Sequence, residues 1–65
     1  MNILINGKVQ DIANALTLAD LVDQIQPEPP FAVAVNTVFI PKSAYKNTQL
    51  KDGDQVEIVR PVAGG

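Results

Sequence analysis

The chain has 65 residues, about half the usual domain length, and reads as one small unit. Five Lys and Arg against seven Asp and Glu give a net charge of −2 with no basic run, which argues against a nucleic-acid ligand. Cysteine and histidine are both absent, which excludes disulfides, thiolate metal sites, thiol nucleophiles, a side-chain persulfide and the commonest general base. The hydrophobic content of 46% is that of a folding chain. The longest apolar run, residues 31–35, is far too short for a membrane span, and no secretory pattern opens the sequence. A cytoplasmic protein, monomeric on its own, is expected. A domain this short buries only about 60% of the surface of its unfolded chain. It must commit nearly all its apolar residues to one core, which favours a carrier or binding module over an enzyme with an enclosed active site.

Ile3-Leu4-Ile5, then Asn6-Gly7, then residues 8–12 predict a hairpin. Asn-Gly suits the two positive-φ positions of a type I′ turn. Thr17-Leu18-Ala19-Asp20 predicts a helix start, with a hydroxyl at the N-cap and a carboxylate three residues on. Leu18, Leu21, Val22 and Ile25 then form one helical stripe, whose burial contributes roughly 6–12 kcal/mol before entropy. Pro27 stops the helix. After the stiff connector Glu28-Pro29-Pro30, residues 31–36 alternate large and small and predict a strand. Period two leaves open whether its valines or its alanines face the helix. Val38-Phe39-Ile40 predicts a short strand, and Ser43-Ala44-Tyr45-Lys46 a helical turn capped by Ser43. Leu50 reads as an isolated anchor, residues 51–54 as a turn and residues 55–60 as the last strand, which Pro61 ends.

A hairpin, a crossover helix and a central last strand beside the first make a β-grasp: α+β, a mixed sheet of four or five strands with one helix on one face. Residues 1–61 form the domain and residues 62–65 a flexible tail. The expected core is Met1, Ile3, Ile5, Val9, Leu18, Leu21, Val22, Ile25, Leu50, Val56 and Ile58.

Few residues invite chemistry. Asp20 with Asp23, and Asp52 with Asp54, read as helix-dipole and turn residues rather than metal or acid–base pairs. Asp52-Gly53-Asp54 lacks the ligand spacing of a calcium loop. Lys42, Lys46 and Lys51 read as solvated, Ser43 has no histidine partner, and Tyr45 and Phe39 read as core or rim packing. No catalytic residue and no metal ligand is expected. On the sheet face away from the helix, Leu4 and Val59 are expected to lie side by side. With Val62 they are the candidate docking residues.

The unusual feature is the ending, Gly64-Gly65. Four residues extend ~13–14 Å, enough to thread a narrow channel. Two glycines allow close backbone approach without side-chain clash. A carboxylate there is a poor electrophile until activated, for instance as an acyl-adenylate.

Together these residues resemble the ThiS family of sulfur carriers, within the ubiquitin-like β-grasp superfamily. The markers are Asn2-x-x-x-Asn6-Gly7, Thr17-Leu18-x-x-Leu21, Ala34-Val35-Asn36, Ile40-Pro41-Lys42, Asp52-Gly53-Asp54-x-Val56-Glu57-Ile58-Val59 and Gly64-Gly65. The resemblance runs essentially end to end. It implies that an E1-like, ThiF-like adenylyltransferase uses ATP to activate the Gly65 carboxylate. A sulfur donor such as a cysteine desulfurase then supplies sulfur, and the thiocarboxylate passes it to a ThiG-like thiazole synthase. No cofactor is bound by the carrier itself. A MoaD-like carrier for molybdopterin synthesis shares fold, tail and activation chemistry. A ubiquitin-like protein modifier and a plain interaction module are the further alternatives. No basic residue follows Arg60, which speaks against the modifier.

Overall fold

The computed structural model describes residues 1–13 and 17–60. Strands β1 (Asn2–Ile5) and β2 (Lys8–Asp11) form the expected hairpin. Asn6 and Gly7 sit at φ 51° and 85°, the left-handed pair that matches strand twist. Helix α1 (Leu18–Ile25) starts in a full capping box. Thr17 Oγ1 accepts from the Asp20 amide at 3.2 Å, and an Asp20 carboxylate oxygen accepts from the Thr17 amide at 3.0 Å. At its other end Gln26 turns left-handed, at φ 52°, just before Pro27. Strands β3 (Ala32–Val35) and β4 (Val38–Ile40) form a second hairpin. A 3-10 helix (Lys42–Asn47) follows, and β5 (Gln55–Val59) closes the fold.

The five strands lie in the order β2-β1-β5-β3-β4, with β5 parallel to β1 and antiparallel to β3. The last strand is thus central, α1 crosses one face, and the architecture is the ubiquitin-like β-grasp. Ile3, Leu18, Leu21, Val33 and Val56 are almost wholly buried between helix and sheet. The register settles the third strand: Val33 pairs with Ile58 and Val35 with Val56, so the valines face the helix and the alanines the open side. Ile12 and Leu50 close the core from the loops and Tyr45 from the 3-10 helix, and Ile58 packs against its edge, half-buried.

Three sequence expectations need correction. Val9 is not core but 65% exposed. The two-residue turn pairs it with Leu4, and directly opposed residues share a face. Met1 precedes the first strand and is exposed, its ammonium 3.3 Å from Asp11 Oδ1. Ser43 does not cap the 3-10 helix: Pro41 holds the cap position and no side chain caps it. That segment is tied instead to the start of α1, where the Leu18 amide donates to the Thr48 carbonyl at 2.8 Å.

Candidate functional site

The open face follows from period two along five paired strands. One row runs Val9, Leu4, Gln55; the next Glu57, Ala34, Phe39; the last Val59, Ala32. Val9, Phe39 and Val59 are more than half exposed, and Leu4 is half-buried. Leu4 and Val59 therefore share the face, but they are not neighbours. Leu4 pairs with Gln55, and Val59 lies four residues further along β5, ~13 Å away. What sits between them is Glu57, an exposed carboxylate inside an otherwise apolar and amide-bearing field. Phe39, read from the sequence as packing, is an exposed aromatic at the edge of this face. The two-residue turn Asn36-Thr37 sets it opposite Ala34, on the alanine side of β3, whose phase the sequence alone leaves open.

The exit of β5 is held on both sides. On one side Ala32 pairs with Val59, the last strand residue. On the other, β1 turns away at Asn6, yet the ladder continues through that side chain. The Asn6 amide donates to the Val56 carbonyl at 3.0 Å. The Ile58 amide then donates to Asn6 Oδ1 at 2.9 Å, and Asn6 Nδ2 donates to the Ile58 carbonyl at 3.2 Å. One asparagine thus imitates the next residue of a strand. Arg60 donates to Glu28 on the connector at 2.5 Å, but both side chains are largely in water and the pair contributes little. Val62, Gly64 and Gly65, like the whole tail, lie outside the described residues.

The strand start is fixed by a second asparagine. Asn36 Nδ2 donates to Asp54 Oδ1 at 3.0 Å, and Asn36 Oδ1 accepts from the Gln55 amide at 3.0 Å. Asp54 Oδ2 also accepts from the Lys51 amide at 2.8 Å, and Asp52 Oδ1 from the Asn2 amide at 2.6 Å. Both aspartates are thus engaged in holding turns. Lys42, Lys46 and Lys51 are exposed, as expected. A shallow groove between β1, its turn and the first half of β5 is lined by Leu4, Asn6, Gly7, Gln55, Val56 and Glu57, with no nucleophile–base pair in it. Among the described residues no group of three or more carboxylate, histidine or cysteine side chains is placed to hold a metal. No helix among them is long and apolar enough to cross a membrane. Burial raises the Tyr45 phenol above its ordinary pKa of 10.0. The arrangement ties β5 at both ends, with a largely apolar open face beside it.

The ThiS family model matches residues 3–65. The chain belongs to the ThiS family. The sulfur carrier protein ThiS of Escherichia coli is 30% identical over 66 aligned positions, covering 100% of both chains. The crystal structure of the thiamine biosynthesis protein ThiS from Geobacter metallireducens superposes with a TM-score of 0.88 at 29% identity, again covering 100% of both chains. The solution structure of a Geobacter metallireducens thiamine biosynthesis protein gives a TM-score of 0.78 at 29% identity, covering 100% of this chain and 88% of that one. A thiazole synthase of Paramagnetospirillum magneticum is 32% identical over 66 aligned positions, and there the chain spans only 20% of the relative's length. Membership of the ThiS family fits the expectations for the sheet order, the central last strand and the position of the helix.

Proposed function

We propose that this ThiS-family chain is a sulfur carrier of thiamine biosynthesis, with the sulfur held as a thiocarboxylate on Gly65. The observation that carries the reading is the family match itself, which extends through Gly64-Gly65 in a chain that has no cysteine. With no thiol available, the transferable sulfur needs another anchor, and an α-carboxylate after two glycines is one. An E1-like adenylyltransferase joins that carboxylate to the AMP moiety of ATP and releases pyrophosphate. A sulfur donor, fed by a cysteine desulfurase, displaces AMP and leaves the thiocarboxylate. Thiazole synthase takes the sulfur for the thiazole ring. The thiazole synthase relative supports that last partner, since a stretch like this whole chain is built into it. The carrier supplies no catalytic residue and binds no cofactor; it works in the cytoplasm.

Docking uses the open face. A short tail alone offers little binding surface, so the globular body must be held while the tail enters a partner's site. Leu4, Val59 and Phe39 are the apolar anchors of that contact, with Val62 extending it along the tail.

The test is the intact mass of the chain isolated from its own cells. A fraction with one oxygen replaced by sulfur at Gly65 is expected, and it should disappear when the activating enzyme is deleted. High-mass conjugates through Gly65 would make the chain a protein modifier. An unmodified C-terminus under sulfur-replete conditions, or sulfur passed only to a molybdopterin precursor, would overturn the thiamine reading.

A further inference from the structure

We propose that the Asn6-Gly7 turn is a site of spontaneous backbone-assisted deamidation, held in check by the two hydrogen bonds that clamp the Asn6 amide to Ile58. The chemistry needs an asparagine followed by a residue whose amide nitrogen can reach the side-chain carbonyl carbon. Glycine is the least hindered residue for that approach. Asn6 alone among the chain's five asparagines precedes glycine; Asn2, Asn14, Asn36 and Asn47 precede Ile3, Ala15, Thr37 and Thr48. Both turn residues are exposed, and the space where a Gly7 Cβ would stand is open.

The step balances without any partner beyond water. The Gly7 amide nitrogen attacks Cγ of Asn6 and forms a new C–N bond. Its proton goes to solvent, and Nδ2 takes up a proton and leaves as ammonia. The five-membered succinimide is then opened by water at either carbonyl. One opening gives aspartate, the other an isoaspartate that adds a methylene to the main chain.

The fold opposes the first step. Oδ1 accepts from the Ile58 amide at 2.9 Å, and Nδ2 donates to the Ile58 carbonyl at 3.2 Å. The carboxamide is thereby aligned with β5 and must leave both partners before Cγ can turn toward Gly7. Attack therefore requires the turn to open first. Conversion also weakens the clamp itself. An aspartate keeps an acceptor for the Ile58 amide but sets a negative oxygen against the Ile58 carbonyl where a donor stood. The isoaspartate lengthens a turn whose register depends on having two residues. Either product frees the strand end from which residues 61–65 continue.

The full chain is incubated at warm, mildly alkaline pH in buffer and, in parallel, in a denaturing urea concentration. Peptide mapping by mass spectrometry and enzymatic isoaspartate labelling locate the products. Conversion at Asn6 ahead of the other four asparagines is expected, at least tenfold slower in the folded chain than in urea. Equal rates in the two solutions would overturn the clamp, and conversion led by another asparagine would overturn the site. The Asn6→Asp variant tests the consequence directly. Its melting temperature should fall by about 5 °C or more, with faster hydrogen exchange at the Ile58 amide. Unchanged melting and exchange would show that the strand end does not depend on this amide. Neither outcome bears on the sulfur chemistry, which is read from the mass at Gly65.

Discussion

Replacing Asn36 separates two contributions that this residue makes at once. It occupies the first position of the β3–β4 turn at φ 49°, and its side chain joins that turn to Asp54 and Gln55. Asn36→Gly keeps the left-handed backbone without strain but deletes both side-chain hydrogen bonds. Each is exposed, so the low end of the usual ~0.5–1.5 kcal/mol applies, and the pair contributes about 1 kcal/mol. Asn36→Ala loses the same bonds and also places in the left-handed region a residue without the local side-chain hydrogen bonding that lets asparagine tolerate it, which costs ~1–2 kcal/mol more. The expected losses are about 1 kcal/mol for the glycine variant and 2–3 kcal/mol for the alanine variant. A core of this size supplies rarely more than ~3–5 kcal/mol, so the alanine variant should approach its unfolding threshold. At ~4–8 °C per kcal/mol, thermal melting followed by circular dichroism should drop by roughly 5 °C and 10–20 °C respectively. The backbone bond from the Asn36 amide to the Gln55 carbonyl, 2.7 Å, is kept in both variants and so cancels. Equal melting of the two variants would refute the conformational term. A wild-type melting temperature in the glycine variant would refute the bridging term.

Thr37 sits at φ 71°, a region that β-branched residues enter at a cost, so Thr37→Gly is expected to stabilise the fold by about 0.5–1 kcal/mol in urea titrations. Deleting Gly65 should leave thermal melting unchanged while abolishing adenylation by the activating enzyme; retained pyrophosphate release would sink the carrier reading. Val56→Asp places a carboxylate at the one fully buried position of β5 and should unfold the chain, whereas Ile58→Asp, half-buried two residues on, should destabilise clearly less by circular dichroism. Tyr45 is an acid whose folded pKa is raised, so the unfolded chain loses that proton first as pH rises. Its contribution is complete below pH ~10 and lost above it, so stability should fall on the alkaline side, and Tyr45→Phe should flatten that decline. Val59→Glu should keep the fold but weaken binding to the activating enzyme by ~2 kcal/mol or more in calorimetry; unchanged affinity in the folded variant would move the docking surface elsewhere.

Most of the architecture is legible from local chemistry. Asn6-Gly7, the Thr17–Asp20 box and Pro27 mark element ends by mechanisms that act within a few residues, and all three act as expected. What local pattern lacks is absolute phase. The alternation in β3 is visible, but only its pairing with Val56 and Ile58 says which set is inward. Val9 shows the complementary error: hydrophobicity alone places it in the core, while counting across a two-residue turn places it opposite Leu4 on the open face. The contiguity expected of Leu4 and Val59 fails for a related reason. Adjacent strands do not make adjacent residues until the parallel register is known, and Leu4 meets Gln55. The bridging roles of Asn6 and Asn36 are least legible, because their partners lie 52 and 19 residues away.

Those two asparagines explain how so small a domain can hold a central strand firmly with few hydrogen bonds to spare. β5 has strand partners on both sides and leads into the tail. Its start is tied to the β3–β4 turn by Asn36, and its end to the β1–β2 turn by Asn6. Each asparagine first shapes its own hairpin, at φ 49° and 51°, and then spends its carboxamide on β5. The same residue thereby sets a local turn and a long-range register, so the two hairpins cannot slide along β5 independently. A partner that grips the open face consequently grips the origin of the tail as well. On the proposed reading, with sulfur carried on Gly65, that coupling fixes the point from which the tail starts.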